Sequence, residues 1–244
     1  MIDRPFAFFA ILSNMAKGKF IVIEGTDGSG KKTQFELLVE KLKKQGRKIE
    51  TFDFPQYEKG SSWFVRNYLK GNYGELDEVG PEKASIFYAV DRLEASKEIR
   101  VALEAGKLVL SNRYVGSNLG HQGSKFENVQ SRRRFFDWVF NLEYKILGVP
   151  EPDLNIILHV PAKTAQKLAM VKDRESHVNA GNEKNVRDIH EDNLSHLERA
   201  EQVYLEIAKM FPEKFKLIEC APEGEVLPRS EIHNRIWELV KGLI

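Results

Sequence analysis

Gly25-Thr26-Asp27-Gly28-Ser29-Gly30-Lys31 is the stretch on which the reading of this chain turns. Before it, Phe20 to Glu24 is a short apolar run that stops at Gly25. After it, Gly30 to Gln45 shows helical spacing through Phe35, Leu38 and Leu42. The stretch satisfies G-x-x-x-x-G-K and sits between a strand and a helix, the context in which that spacing cradles phosphate. The glycines let successive backbone N–H groups converge on phosphate oxygens, the helix offers its positive end, and Lys31 reaches the β- and γ-phosphates of a nucleotide. One departure has chemical weight: the residue after Lys31 is Lys32, where the motif has Ser or Thr to hold Mg²⁺, and Thr33 follows. Magnesium therefore needs other ligands, of which Asp27 and water are the expected ones, since Mg²⁺ accepts one or two carboxylates and keeps several waters.

Working outward, Gly46 ends the helix and Lys48 to Phe54 reads as a strand closed by Pro55. Pro81 stands at a first helical position, and residues 81–105 run as helix until Gly106. The spacing predicts strands at Lys107–Ser111, Leu154–Val160 and Phe215–Cys220, and helices over 125–147, 162–171, 188–210 and 229–240. The segment 172–187 is polar, contains Gly and Asn and has no period, so it reads as a mobile loop. Strands that alternate with helices and are themselves almost continuously apolar imply a parallel sheet covered on both faces.

The bulk numbers narrow the class. At 244 residues the chain is long enough for one substantial core, and 42% hydrophobic with 30% charged residues is the balance of a globular protein. A formal net charge of +1 leaves no global field to hold nucleic acid, so an anion site has to be built locally, which points to a small anionic ligand. The single Cys220 fits a reducing compartment, and the cytoplasm is the default expectation. Phe6 to Leu12 follows Arg4 but is short and lacks a small-residue cleavage site, so export is not expected, and no run approaches the ~20 apolar residues of a membrane span. Residues 1–18 are read as an N-terminal extension, expected to be disordered, with Met15 an alternative start, and 19–244 as one domain.

Transfer between two phosphates gathers negative charge around a transition state in which that charge is spread, so catalysis is mostly positioning and cationic stabilisation. Arg92 lies on the helix over 81–105, and Arg113 follows the third strand at its C-terminal end, where open α/β sheets bind ligands. Guanidinium forks suit phosphate bidentately, although an arginine taken alone is as well read as a surface ion pair.

The order of the pieces resembles thymidylate kinases. Gly25 to Thr33 is similar to the family's Gly-x-Asp-Gly-x-Gly-Lys-x-Thr. Phe54-Pro55-Gln56-Tyr57 resembles its Phe-Pro-Arg segment, Phe87 with Asp91-Arg92 its base-stacking and arginine helix, and Asn112-Arg113-Tyr114 its Asp-Arg-Tyr, with Ser117-Asn118 and Gln122-Gly123 after it. The resemblance covers residues 19 to about 220. It implies a three-layer α/β/α P-loop NTPase fold, with a five-stranded parallel sheet and a mobile lid at about 172–187. It also implies transfer of the γ-phosphoryl group of ATP to dTMP, with Mg²⁺.

By the same resemblance Gly25, Thr26, Asp27, Gly28, Ser29, Gly30, Lys31, Lys32 and Thr33 bind ATP, and Asp27 is the metal-facing residue. Asp27, Phe54, Tyr57, Phe87, Arg92, Arg113, Asn118, His121 and Gln122 line the dTMP site. There Phe87 stacks on thymine, Gln122 reads the base edge, and Asn118 and Tyr57 neighbour sugar and phosphate. Phe87 reads equally as core, and His121, where relatives often carry Tyr, reads equally as a loop histidine. Lys31 and Arg113 are the implied catalytic cations. Because the P-loop has Gly28 and Ser29 in place of an arginine, the lid, with Lys172, Arg174, Lys184 and Arg187, is expected to supply another, Arg174 or Arg187. Gln56, Asn112 and Ile189 each depart from the pattern by losing a charge.

Relatives of this kind are commonly homodimers, and Phe135, Phe136, Trp138 and Phe140 offer either an interface or core. No nucleic-acid or membrane partner is expected. The alternatives are a kinase for another deoxynucleoside monophosphate and a catalytically silent nucleotide-binding sensor.

Overall fold

The structure, a computed structural model, describes residues 17–74, 76–179 and 194–244. Strand β1 (Phe20–Glu24) leads through the glycine loop into α1 (Lys31–Lys44), and β2 (Ile49–Asp53) follows. A 3₁₀ turn (Gly60–Ser62) and α2 (Trp63–Leu69) precede the long α3 (Pro81–Glu104), which Pro81 opens and Gly106 follows. Then come β3 (Leu108–Asn112), a short helical turn over Val115–Ser117 that widens over Asn118–Gln122, and α4 (Val129–Phe140), which widens over Asn141–Ile146. The chain continues with β4 (Leu154–His159), α5 (Ala162–Asn179), α6 (Leu194–Met210), β5 (Phe215–Glu219) and α7 (Arg229–Lys241).

The five strands lie in the order β2-β3-β1-β4-β5, with every neighbouring pair parallel. All five residues of central β1 are buried, as a strand covered on both faces requires, whereas the edge strands β2 and β5 are only partly buried. Alternation along the strands divides the core. Phe20, Val22, Phe52, Val109 and Ile157 face Ile99 of α3, Phe136 and Val139 of α4, and Val203 and Ile207 of α6. Ile21, Ile23, Leu110, Ile156 and Leu158 face Leu38 and Leu42 of α1 and Ile232, Ile236 and Val240 of α7. Each such side chain contributes about 1.5–3 kcal/mol through burial, which holds helices on both faces, while the common direction of the strands gathers their C-terminal ends on one edge. The expected three-layer α/β/α arrangement is therefore the observed one.

One expectation is corrected and one open alternative is decided. The helix foreseen over 162–171 runs on to Asn179, so the first part of the segment read as a loop is helical. Lys172, Asp173, Arg174 and Glu175 add no apolar periodicity, yet Lys, Arg and Glu are good helix formers. The aromatic residues of α4 serve the core and do not form a free face: Phe135 and Phe136 are buried and Trp138 and Phe140 pack against the same cluster. The 3₁₀ turn and α2, at Gly60–Leu69, went unread in the sequence.

Candidate functional site

A cleft of about 760 Å³ opens at the C-terminal ends of β1, β2 and β3, within the size range of small-molecule sites. Its floor on one side is the glycine loop. Gly25 has φ 140° and a Cβ there would stand 2.6 Å from the Leu158 carbonyl oxygen, while a Cβ on Gly28 would come within 2.0 Å of the Ala165 oxygen on α5. Only glycine allows the backbone to turn this closely between β4 and α5.

The loop delivers α1 with no acidic residue in its first turn and with Lys31 and Lys32 at its positive end. Two ammonium groups at a helix N-terminus oppose the helix dipole, an arrangement that an anion would relieve. Lys31 is 7% exposed, donates to the Thr26 carbonyl oxygen at 2.6 Å and lies 3.9 Å from Asp27. Burial and the nearby Arg113 guanidinium push its ammonium down to about 7, against the pull of Asp27 and Glu24.

The opposite wall grows from β3. Arg113 follows Asn112 with φ 64°, a left-handed conformation that costs a non-glycine residue of order 1 kcal/mol and persists where surroundings over-determine it. Its N–H donates to the Ile23 carbonyl oxygen at 2.9 Å and its own carbonyl oxygen accepts from Ser111 Oγ at 2.6 Å. The guanidinium makes an ion pair with Asp27 across the cleft, and its Nη1 lies 3.1 Å from His121 Nε2. Burial opposes the charge, but Asp27 outweighs it and the pKa is raised.

Beneath this contact Glu24, fully buried at the end of β1, accepts from the Tyr114 N–H (2.8 Å), the Ser117 N–H (3.1 Å) and Ser117 Oγ (2.7 Å), tying the P-loop strand to the turn after β3. Burial raises its pKa against those bonds. Gly116 leaves the room, because a Cβ there would sit 2.8 Å from Glu24 Oε1.

Deeper in the same wall, Arg92 is 2% exposed and gives both prongs of its fork to Glu143, Nε to Oε2 at 2.6 Å and Nη2 to Oε1 at 2.5 Å. Burial opposes this charge too, and Glu143 overrides it, so the pKa is raised. Asn118 Nδ2 donates to the same Glu143 Oε1 at 2.9 Å and to the Ser85 carbonyl oxygen at 3.2 Å. Arg92 thus lines the cleft with its carboxylate partner already in place, and only the Nη1 side, 3.4 Å from the Tyr114 carbonyl oxygen, is left for a ligand.

The cleft is lined by Asp27, Gly28, Ser29, Gly30, Lys31, Lys32 and Thr33 on the loop side, and by Phe54, Tyr57, Arg92, Arg113, Asn118, His121 and Gln122 on the other. Gly25 and Thr26 belong to the turn beneath it. Gln122 is 1% exposed, and its Oε1 is buried with no hydrogen-bond partner in the described structure, an acceptor that costs about 1–3 kcal/mol until something donates to it.

Phe87 is not in this wall. It stacks on Phe64 (5.8 Å, 11°) and contacts Tyr73 and Tyr68, while Tyr88 lines the cleft. A signal for this was present in the sequence: Tyr88 precedes Arg92 by four residues and shares its helix face, whereas Phe87 precedes it by five and does not. Gln56, absent from the cleft lining, is held by Asp91, which accepts from its backbone N–H at 2.7 Å and from its Nε2 at 3.3 Å. Lys184 and Arg187 lie outside the described residues, as do the side chains of Lys172 and Arg174.

Asp53, at the end of β2, is a cleft residue the sequence reading missed. Asn112 Nδ2 donates to its Oδ1 at 2.8 Å, while Asn112 Oδ1 is buried and unpartnered. Burial raises the Asp53 pKa against Asn112 and Arg113. The pair matters for a divalent cation because Asp27 is already engaged by Arg113 and Lys31, whereas Asp53 makes no ion pair among the described residues. The oxygen donors that fit a hard cation on this wall are therefore Asp53 and the free Asn112 oxygen, in preference to Asp27. Val226, Leu227 and Ile232 form an apolar shelf beyond the loop, with Arg229 beside it.

Comparison with known proteins agrees with this geometry. The family model described as thymidylate kinase matches residues 23–230. A probable thymidylate kinase of Pyrococcus abyssi is 29% identical over 227 residues, covering 92% of this chain and 97% of that protein. The thymidylate kinase of Mycobacterium tuberculosis is 33% identical over 147 residues, covering 59% and 67% respectively. Among solved structures, thymidylate kinase from Candida albicans shares the fold with a TM-score of 0.68 at 21% identity, over 93% of this chain and 92% of that one.

Proposed function

The chain belongs to the thymidylate kinase family, and we propose that it transfers the γ-phosphoryl group of ATP to dTMP, giving dTDP and ADP. The observation that carries this is the acid-free N-terminus of α1, where Lys31 and Lys32 face Arg113 across one cleft. Such a concentration of cations is matched by a polyphosphate.

In this reading the loop N–H groups and Lys31 hold the ATP phosphates, whose negative charge restores the full charge of Lys31. The shelf of Val226, Leu227 and Ile232 takes the adenine ring. Arg113 bridges the acceptor phosphate and the transferring group, and the Nη1 side of Arg92 steadies the acceptor. Tyr88, in the place first given to Phe87, stacks on the base, and the unpartnered Gln122 Oε1 accepts from its N3–H. That proton is shared by thymine and uracil and absent from cytosine, so cytosine leaves the acceptor unpaired.

Mg²⁺, when bound with ATP, neutralises phosphate charge and orients the β- and γ-phosphates. Asp53, the Asn112 oxygen and Thr33 are the residues that would hold it, directly or through water. Lid cations, among them Arg174 or Arg187, complete the cage and exclude water.

No helix among the described residues is long and apolar enough to cross a membrane. We place the enzyme in the cytoplasm, where the buried Cys220, its thiol pushed up to about 12, stays reduced. The exposed apolar residues Ile86, Val90 and Leu93 on one face of α3 support a homodimer across that helix in place of α4. Residues 1–18 are taken as an extension to a single kinase domain.

The Candida albicans enzyme is described as having broad substrate specificity, so the test is ATP-to-ADP conversion with Mg²⁺ and each of dTMP, dUMP, dCMP and dGMP. Preferred turnover of dTMP supports the proposal, and a stronger rate with dCMP or dGMP would overturn the assignment of Gln122.

A further inference from the structure

His121 joins Arg113 to a second histidine. Arg113 Nη1 is 3.1 Å from His121 Nε2, and His121 Nδ1 is 3.3 Å from His196 Nε2. The arginine settles the direction of both bonds. A guanidinium has only N–H donors, so His121 Nε2 accepts and carries no proton. The neutral ring then holds its proton on Nδ1 and donates it to His196 Nε2, and His196 keeps its own proton on Nδ1. The reverse direction would make both nitrogens of His121 acceptors, which no neutral imidazole allows.

The chain is held from the sides as well. The two imidazoles stack at 5.6 Å and 23°, and Tyr204 meets the His121 ring edge-on at 6.0 Å. The turn carrying His121 packs against α6 so closely that a Cβ on Gly120 would come within 2.6 Å of the Tyr204 ring. His196, on the first turn of α6, is 5% exposed.

We propose that His196 is a positioning residue for phosphoryl transfer: as hydrogen-bond acceptor it selects the His121 tautomer whose Nε2 lone pair fixes Arg113. With Asp27 and Ser117 Oγ (3.4 Å) as its other partners, the guanidinium is then held at three points before substrate arrives. This rests on the reading of Arg113 as the phosphate-facing cation. The need for a second histidine follows from chemistry. A tyrosine at position 121, which the resemblance leads one to expect, always presents an oxygen lone pair, whereas a histidine presents nitrogen at Nε2 only in one of its two tautomers. Holding a catalytic cation in advance lowers the reorganisation required in the transition state.

The experiment is a ¹⁵N–¹H correlation spectrum of the histidine-labelled full chain at neutral pH, paired with steady-state kinetics of His196→Leu and His196→Gln. The spectrum should show His121 protonated on Nδ1 and bare at Nε2. His196→Leu, similar in volume but without an acceptor, should mix the His121 tautomers and lower kcat roughly five- to tenfold, the size of one lost hydrogen bond, with KM for ATP held within about twofold. His196→Gln, whose Oε1 reaches the place of Nε2, should recover most of that loss, a rescue that simple packing would not produce. A wild-type spectrum with the proton on His121 Nε2, or Leu and Gln variants with equal rates, overturns the proposal. A wild-type chain that transfers phosphate to no deoxynucleoside monophosphate overturns the functional reading instead, while the spectrum still decides the hydrogen-bond chain.

Discussion

The two walls of the cleft hold their ligands in different ways. The loop wall, residues 25–33, works through backbone: glycines of special φ, a helix terminus and two lysines, all within nine consecutive residues. The facing wall works through side chains from distant segments, Glu24, Asp53, Arg92, Arg113, Asn118 and Glu143, each fixed by a partner far away in the chain, with Tyr88 and Gln122 beside them. A backbone site survives as long as its local spacing does. A side-chain site survives only as long as its buried pairs are complete.

The largest effect should come from removing the cation each wall contributes. Lys31→Ala and Arg113→Ala should each lower kcat a thousandfold or more, about 4 kcal/mol of transition-state stabilisation. The contrast lies in stability, since Arg113→Ala also removes the ion pair with Asp27 and the tie to His121. Thermal melts of the two variants that cannot be told apart would erase the distinction between the walls.

Next in size is the buried pair itself. Glu143→Leu strands the Arg92 charge and should cost about 3 kcal/mol or more in urea unfolding, whereas the double change Arg92→Met with Glu143→Leu should recover most of that stability without recovering turnover. A double variant that turns over normally would show that Arg92 serves packing alone.

A smaller effect separates neighbours on α3. Tyr88→Leu should raise KM for dTMP about tenfold, the value of one base-stacking contact, while Phe87→Leu should lower the melting temperature and leave KM unchanged. The opposite pattern would return the stacking role to Phe87. Comparable in size, Asp53→Asn should weaken Mn²⁺ binding to the ADP complex by about tenfold in paramagnetic titration, and Asp27→Asn should do so less.

The smallest effect lies outside the cleft. His159 Nε2 is 2.9 Å from Glu201 and its Nδ1 2.5 Å from Glu219. Burial lowers its pKa, but the bonds to Glu201 and Glu219 outweigh that and raise it. A raised folded-state pKa means the imidazolium stabilises the fold fully below the unfolded value of about 6.5, and the contribution fades as pH rises through the folded value. The melting temperature of His159→Gln should therefore fall furthest below wild type in mild acid, by less than about 1 kcal/mol equivalent, and converge with it at alkaline pH. A gap that widens with pH would reverse the assigned charge.

By itself the sequence determined the strands, the loop, the parallel sheet and Lys31, because apolar periodicity and glycine spacing are local properties that the chain displays one turn at a time. It placed Arg113 at the right strand end for the same reason. It named Phe87 for the cleft wall, which Tyr88 lines instead, although the four-residue step from Tyr88 to Arg92 was there to read. It also ended α5 eight residues early, because the stretch from Lys172 to Asn179 carries no apolar period although Lys, Arg and Glu favour helix.

Tertiary structure alone decided that Glu143 occupies the fork of Arg92, that Asn112 leans on Asp53, that Asp27 is taken up by Arg113, and that His196 stands behind His121. Those pairings join residues 51 to 86 positions apart in the chain. Only the folded sheet, by bringing its strand ends together out of water, makes a charge seek one partner and leave another.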